Sequence, residues 1–246
     1  MKIPRKISPD NLKDTIVEFR FSSAIPLDLI PGKASIEFFE LGYEYIPLNK
    51  PNISFNQGND ENAITLGINS DRSGFFVKDN VRIQFVNDSI VFNCLQDKYV
   101  GWEKYFRVIQ EITRLLVKKQ LVKEFKKVAV RYISVFENID IFQNIKVGIR
   151  VADIGFGLDD SVLRLSREEE NIKIFLTLTN RAKRPNHNKK AGTQTSLVDI
   201  HAYHEFHSTE SYDNVVSVLD KIHKLEKETF FRLLTEDFLM SLNPEY

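Results

Sequence analysis

The chain has 246 residues and no formal net charge, with 34 Lys and Arg set against 34 Asp and Glu. That balance removes any whole-molecule electrostatic argument for a nucleic acid or an acidic membrane surface. The single cysteine, Cys94, excludes an internal disulfide and every CxxC metal motif, and no apolar run approaches the ~20 residues of a membrane-spanning helix.

A 42% hydrophobic content with 19 Phe describes an aromatic-rich core. A chain of this length buries roughly three quarters of its unfolded surface and needs neither disulfide nor metal to fold. The opening MKIPRKISPDNLKD has no apolar h-region, so a signal peptide is not expected and the cytoplasm is the expected compartment.

In chain order, TIVEFRF (15–21) alternates Val17, Phe19 and Phe21 with Glu18 and Arg20, a half-buried strand. Pro26 and Pro31 read as breaks before ASIEFFEL, a short helix closed by Gly42, and YEYI is a short strand. Residues 49–62 are polar and turn-rich. AITLGIN, GFFVKD, VRIQFVN and SIVFNCLQ, separated by NSDRS, DN and ND, predict an antiparallel meander. Cys94 falls in the last of these, where a buried inert thiol is expected.

Trp102, Tyr105, Phe106, Ile109, Ile112 and Leu116 then mark one face of a long helix, with Lys104, Arg107, Glu111, Arg114 and Lys118 outside the stripe. VAVRYISVF returns as a strand. From Lys104 to Arg131 there are nine Lys and Arg against Glu111 and Glu124, a run read as a solvated helix face.

The second half repeats the pattern. IKVGIRVAD is strand-like, SVLRLSR and IKIFLTLTN form a hairpin across EEEN, and SLVDIHAYHEF is a further strand. Ser208–Glu210 signals a helix start, and Val215, Leu219, Ile222 and Leu225 mark a second long helix to about Leu234. Thr235 caps a short terminal helix that Pro244 ends. The expected fold is α+β in two similar halves, 1–138 and 139–246, packed as one unit. Each half is a mainly antiparallel sheet carrying one long helix, and the break falls near Glu137–Ile145.

Several positions together resemble a large, sporadically distributed and uncharacterised prokaryotic protein family. They are DTIVEFRF, then Tyr99, Trp102 and Phe106, then VAVRYISVFENI, and the closing LDKIHKLEKETFFRLLTEDFLMSLNP with His223, Phe230 and Phe231. The resemblance covers most of the chain. It implies no known activity and no catalytic residues, and the family's patchy distribution implies a defence or mobile-element neighbourhood. The loop at 181–195 and the His-rich strand are not part of it.

The most chemical segment is DIHAYHEFH (199–207). A strand sends Asp199, His201, Tyr203, Glu205 and His207 to one face. His201, Glu205 and His207 are metal-ligand types. Yet residues two apart on a strand stand ~6.5 Å apart, so only Glu205 and His207 can share an ion without a bend. No GxSxG, phosphate loop or dinucleotide fingerprint is present, and no cofactor is expected.

The basic run of Arg181, Lys183, Arg184, Lys189 and Lys190 has no acid within it and reads as a loop. Either it is simply solvated or it forms an arm against phosphates or a partner. Arg131, Arg150 and Arg164 on predicted strands add to such a surface, and exposed sheet aromatics would stack single-stranded bases. The leading expectation is a non-enzymatic recognition or accessory protein that binds another protein or a ligand. The alternatives are RNA or single-stranded DNA binding through the 181–190 loop, and a metal-dependent enzyme using 201–207.

Overall fold

Strands and helices follow the side-chain period along most of the chain. A computed structural model describes residues 2–47, 74–94, 98–148, 161–180 and 195–246. The alternating run becomes β1 (Leu12–Ser22), with Val17, Phe19 and Phe21 buried. It leads to α1 (Ile30–Glu40), which ends at Gly42 with φ of 82°. Pro31 does not break the chain as expected; it sits in the first turn of α1, where its missing N–H has no helical partner to lose.

After β2 (Glu44–Ile46) come β3 (Phe75–Lys78), β4 (Val81–Val86) and β5 (Ser89–Cys94), which pair antiparallel in sequence order. Asp79 and Asn80 both have positive φ, the geometry of a two-residue primed hairpin turn. The expected AITLGIN strand lies outside the described residues.

The amphipathic stripe forms α2 (Trp102–Lys118), in which Tyr105, Ile109, Ile112 and Leu116 are fully buried while Lys104, Arg107, Glu111, Arg114 and Lys118 are exposed. The chain returns through β6 (Glu124–Glu137). Of IKVGIRVAD only Ile145 is bridged, to Leu234, and the run from 149 lies outside the described residues.

A hairpin of β7 (Val162–Glu169) and β8 (Ile172–Thr179) turns through Glu170 and Asn171, both at positive φ. Then come β9 (Thr195–Glu205), α3 (Tyr212–Leu233) and α4 (Glu236–Ser241). The cap of α3 is Ser211, not the Ser208–Glu210 segment expected, and its hydroxyl accepts from Asn214 N–H at 3.2 Å. Thr235 caps α4 by accepting from Phe238 N–H at 3.3 Å. Among the described residues no helix is long and apolar enough to cross a membrane.

The protein is α+β, but the strands do not divide into two sheets. Among the described residues they form one antiparallel sheet of nine in the order β2-β3-β4-β5-β1-β6-β9-β8-β7. The physical reason is the long pairing of β1 with β6, from Leu12↔Ser134 to Ser22↔Glu124, which joins what the sequence presents as separate meanders.

Among the described residues all four α-helices cover the same side and leave the other face helix-free. Phe38 of α1 meets Phe76 and Phe85, and the Tyr105 hydroxyl of α2 donates to the Thr15 carbonyl at 3.3 Å. His223 of α3 meets Tyr132, and Phe238 of α4 meets Phe136. The core fills this covered face.

Fully buried Ile109 tests the packing of α2. Ile109→Ala should cost about 2–5 kcal/mol in a denaturant melt followed by Trp102 fluorescence. Ile36→Ala, at a position 65% exposed on α1, should change stability by no more than about 0.5 kcal/mol.

Candidate functional site

The strand period that buries one face of the sheet must present the other. Register fixes which residues share it. One continuous cross-strand row on the helix-free face runs Arg82, Asn93, Ile16, Arg131, His201, Phe175, Ser166, crossing from β4 to β7. A neighbouring row runs Gln84, Val91, Glu18, Ala129, Tyr203, Lys173, Glu168. As expected, β9 therefore sends Asp199, His201, Tyr203 and Glu205 to one face and Ile200 and Ala202 into the core, but the strand ends at Glu205 and His207, expected on the same face, lies beyond it.

Two hollows open at the β6–β9–β8–β7 end. One of ≈ 350 Å³ is lined by Arg131, Arg164, Phe175, Thr177, Asp199 and His201. Within it Asp199 accepts two hydrogen bonds from Arg131, Nε to Oδ1 at 2.9 Å and Nη2 to Oδ2 at 2.6 Å. This fork fixes the guanidinium and neutralises it. Among the described residues Arg164 has no ion-pair partner.

Phe175 lies 40% exposed in the middle of β8 and stacks parallel on Tyr203, centroids 5.9 Å apart and planes 7° apart. Lys127 Nζ stands 4.4 Å from the Tyr203 ring centroid and Lys173 Nζ 5.8 Å. His201 lies against both rings. Burial, with Lys127 and Arg131 adding to it, lowers the His201 pKa to about 4, so its imidazole is neutral at pH 7.

The second hollow, ≈ 340 Å³, is lined by Lys173, Tyr203, Glu205, His207, Ser208 and Glu210 among others. Glu205 and His207 thus meet here, while His201 belongs to the other hollow. His201 and Glu205 are four residues apart on one strand, ~13 Å. Among the described residues no group of three or more His, Cys, Asp or Glu lies close enough to hold a metal ion. Arg181, Lys183, Arg184, Lys189, Lys190 and Arg150 lie outside the described residues.

Sequence reading missed Phe175 and the Arg131–Asp199 fork. A signal for Phe175 existed: in IKIFLTLT it shares its face with Lys173 and Thr177, so an aromatic stands on the polar side of the strand. The fork joins residues 68 positions apart and carries no local signal.

A second polar constellation lies on the covered face, where α2, α3 and β6 meet. Trp102 stacks on His223 at 3.8 Å and 13°, and its indole N–H donates to Asp220 Oδ1 at 3.1 Å. His223 Nδ1 is 3.1 Å from the Tyr132 hydroxyl, which is 3.1 Å from that of Tyr99. Glu226, one turn along α3, is 2% exposed. Burial lowers the His223 pKa to about 3 and holds the Glu226 carboxyl well above the usual range.

No family model, curated protein or solved structure matches the chain.

The buried pair makes opposite contributions to stability against pH. His223 binds its proton less tightly folded than unfolded, so it should withdraw stability as pH falls from about 6.5 towards about 3. Glu226 binds its proton more tightly folded, so it should withdraw stability as pH rises above the ordinary glutamate pKa of 4.5. Melts across pH 3–8 check both: His223→Phe should flatten the acid side, and Glu226→Gln should gain on wild type with rising pH. Parallel curves for all three proteins would show that neither group is held neutral.

Proposed function

We propose that this is a binding protein, not an enzyme, and that it holds single-stranded RNA or DNA on the helix-free face of its sheet. The observation that carries the reading is the exposed Phe175 stacked on Tyr203 in mid-sheet, flanked by Arg164, Lys127 and Lys173. Aromatics on adjacent open strands offer a platform on which successive bases stack, and cations beside them meet phosphates. A hollow whose one carboxylate is already spent on Arg131 adds no uncompensated negative charge. The segment with Arg181, Lys183, Arg184, Lys189 and Lys190 leaves β8 just after Asn180, and on this reading it is a further electrostatic arm.

The charge inventory sets the strength. Asp199 offsets Arg131, and Glu205 lies 4.0 Å from Lys173. Glu18 and Glu168 share the row of Tyr203 and offset part of what is left, so Arg164 and Lys127 supply at most two phosphate contacts, a log–log salt slope no steeper than roughly −1.4 for a single strand from this face. Affinity therefore comes mainly from stacking.

A second reading, a protein partner, is favoured by one separate patch. Ile36 and Phe39 of α1 are 65% and 53% exposed, and Tyr45 and Ile46 of edge strand β2 are each 40% exposed. Phe39 and Tyr45 both pack against Phe76 on the covered side, so these two are continuous, while Ile46 pairs with Phe75 and points to the other face. Loss of a co-purifying protein on Ile36→Ser with Phe39→Ser, in a variant that still melts normally, is its check.

Two broader proposals follow the same division. We read the sheet as two alike units, with the break moved from Glu137–Ile145 to just before β6: β1, β3–β5 and α2, then β6, β7–β9 and α3, because in each the opening strand pairs with the last strand of its meander. Superposing one unit on the other tests this. The likeness to the sporadic prokaryotic family, with its implied defence or mobile-element setting, is supported by the meeting of Tyr99, Trp102 and His223. Family members lacking that cluster would count against it.

Fluorescence anisotropy with labelled ten-nucleotide RNA and DNA tests the main reading. Phe175→Ala and Tyr203→Ala should each weaken binding roughly 5- to 100-fold, the range of one lost base stack. Arg164→Ala should flatten the salt slope by about 0.7. Failure of the wild-type chain to retain either oligonucleotide at low salt would sink the proposal.

A further inference from the structure

The far end of the helix-free face carries a different feature. Gln84 is 2% exposed, yet its amide nitrogen has no hydrogen-bond partner, and neither does Arg82 Nε. The two side chains hold each other, with Arg82 Nη2 donating to Gln84 Oε1 at 2.6 Å. The Arg82 guanidinium also lies over the Phe75 ring, 4.1 Å from its centroid. One hydrogen-bonded pair therefore carries a cationic N–H and an amide NH₂ that nothing in the described chain accepts.

Buried donors are nearly always met, so an unmet pair marks a missing acceptor. The carboxylates on this part of the face are engaged elsewhere. Asp14 accepts from Asn93 Nδ2 at 3.3 Å, and Glu18 accepts from the Ser89 hydroxyl at 2.8 Å. Donors alone repel a metal cation. A guanidinium with a neighbouring amide, its own Oε1 already occupied, suits an acceptor-only oxyanion.

We infer that Arg82 and Gln84, backed by Phe75, form a site for a phosphate oxyanion. The inference stands on these unmet donors and not on the single-strand reading. The two are compatible: Arg82 and Arg131 are three strand intervals apart, ~14 Å, so one chain of phosphates reaches both. Asp14 opposes the site, because its carboxyl acts electrostatically on both Arg82 and Arg131. Burial raises the Asp14 pKa, which weakens that opposition.

Calorimetric titration of the full chain with inorganic phosphate at low ionic strength tests the site. Saturable binding is expected. Gln84→Glu gives Arg82 a permanent counter-charge, so it should melt no lower than wild type while binding phosphate at least tenfold more weakly. Asp14→Asn should bind several-fold more tightly, and Arg164→Ala, at the other end of the face, should bind as wild type does.

A 5′-phosphorylated dinucleotide separates the sources. Tighter binding than inorganic phosphate, lost with Phe75→Ala, assigns the site to nucleotide phosphates; equal binding assigns it to the free ion; both support the site. Phosphate binding equal in wild type and Gln84→Glu, or absent from wild type, overturns it and leaves the donors met by water only. Where phosphate binding fails in this way but Phe175→Ala still removes oligonucleotide binding, the site is overturned and the single-strand reading survives. Phosphate binding without oligonucleotide binding does the reverse.

Discussion

Every described α-helix lies on one side of the sheet, and the pairing of β1 with β6 makes that sheet continuous. The consequence is a division of labour between two faces of the same strands. The covered face carries the apolar half of each alternation: Val17, Phe19, Ile83, Phe92, Val128 and Val130 are at most 1% exposed. The other face has to satisfy its own polar groups. It does so with cross-strand pairs, the Arg131–Asp199 fork, Asn93 to Asp14 and Ser89 to Glu18. Where those pairs run out, exposed aromatics and unmet donors remain, and both functional readings stand on them.

The covered face is not purely apolar. The Trp102–His223–Tyr132–Tyr99 chain and Glu226 put polar groups where α3 crosses β6. Packing alone would accept many rotations of an amphipathic helix. A stacked indole whose N–H meets Asp220, and an imidazole that meets a tyrosine hydroxyl, fix one rotation of α2 against α3 and of α3 against the sheet. Holding a carboxyl neutral at Glu226 costs stability at neutral pH, and the geometry it accompanies is specific.

Much of the fold was legible because it is written locally. The stripe from Trp102 to Leu116, the alternation in VRIQFV and the caps at Gly42 and Thr235 each depend on residues within a few positions of one another. The joining of the two meanders was not, because it depends on β1 finding β6 more than a hundred residues away, and the residues that match there would serve equally well in two separate sheets. The site was legible in type and not in place. Asp199, His201 and Tyr203 were correctly sent to one face, but the sequence cannot say that Arg131, Phe175 and Arg164 are their neighbours. The metal reading of His201, Glu205 and His207 treated one strand in isolation. In the sheet His201 meets Phe175 and Tyr203 and Glu205 meets Lys173, while His207 lies beyond the end of β9, and the three are shared between two hollows.

The row from Arg82 to Ser166 looks straight when written as a register, and in space it is not. Neighbouring strands in an ordinary sheet rotate by roughly 20–25°. Six intervals separate β4 from β7, so the outward normals at the two ends of the row diverge by well over a right angle. A rigid object laid on Phe175 and Tyr203 cannot also lie on Phe75 and Arg82. A ligand that touches both must bend as it crosses β1 and β6, so the curvature of the sheet itself selects for flexibility before any side chain is consulted.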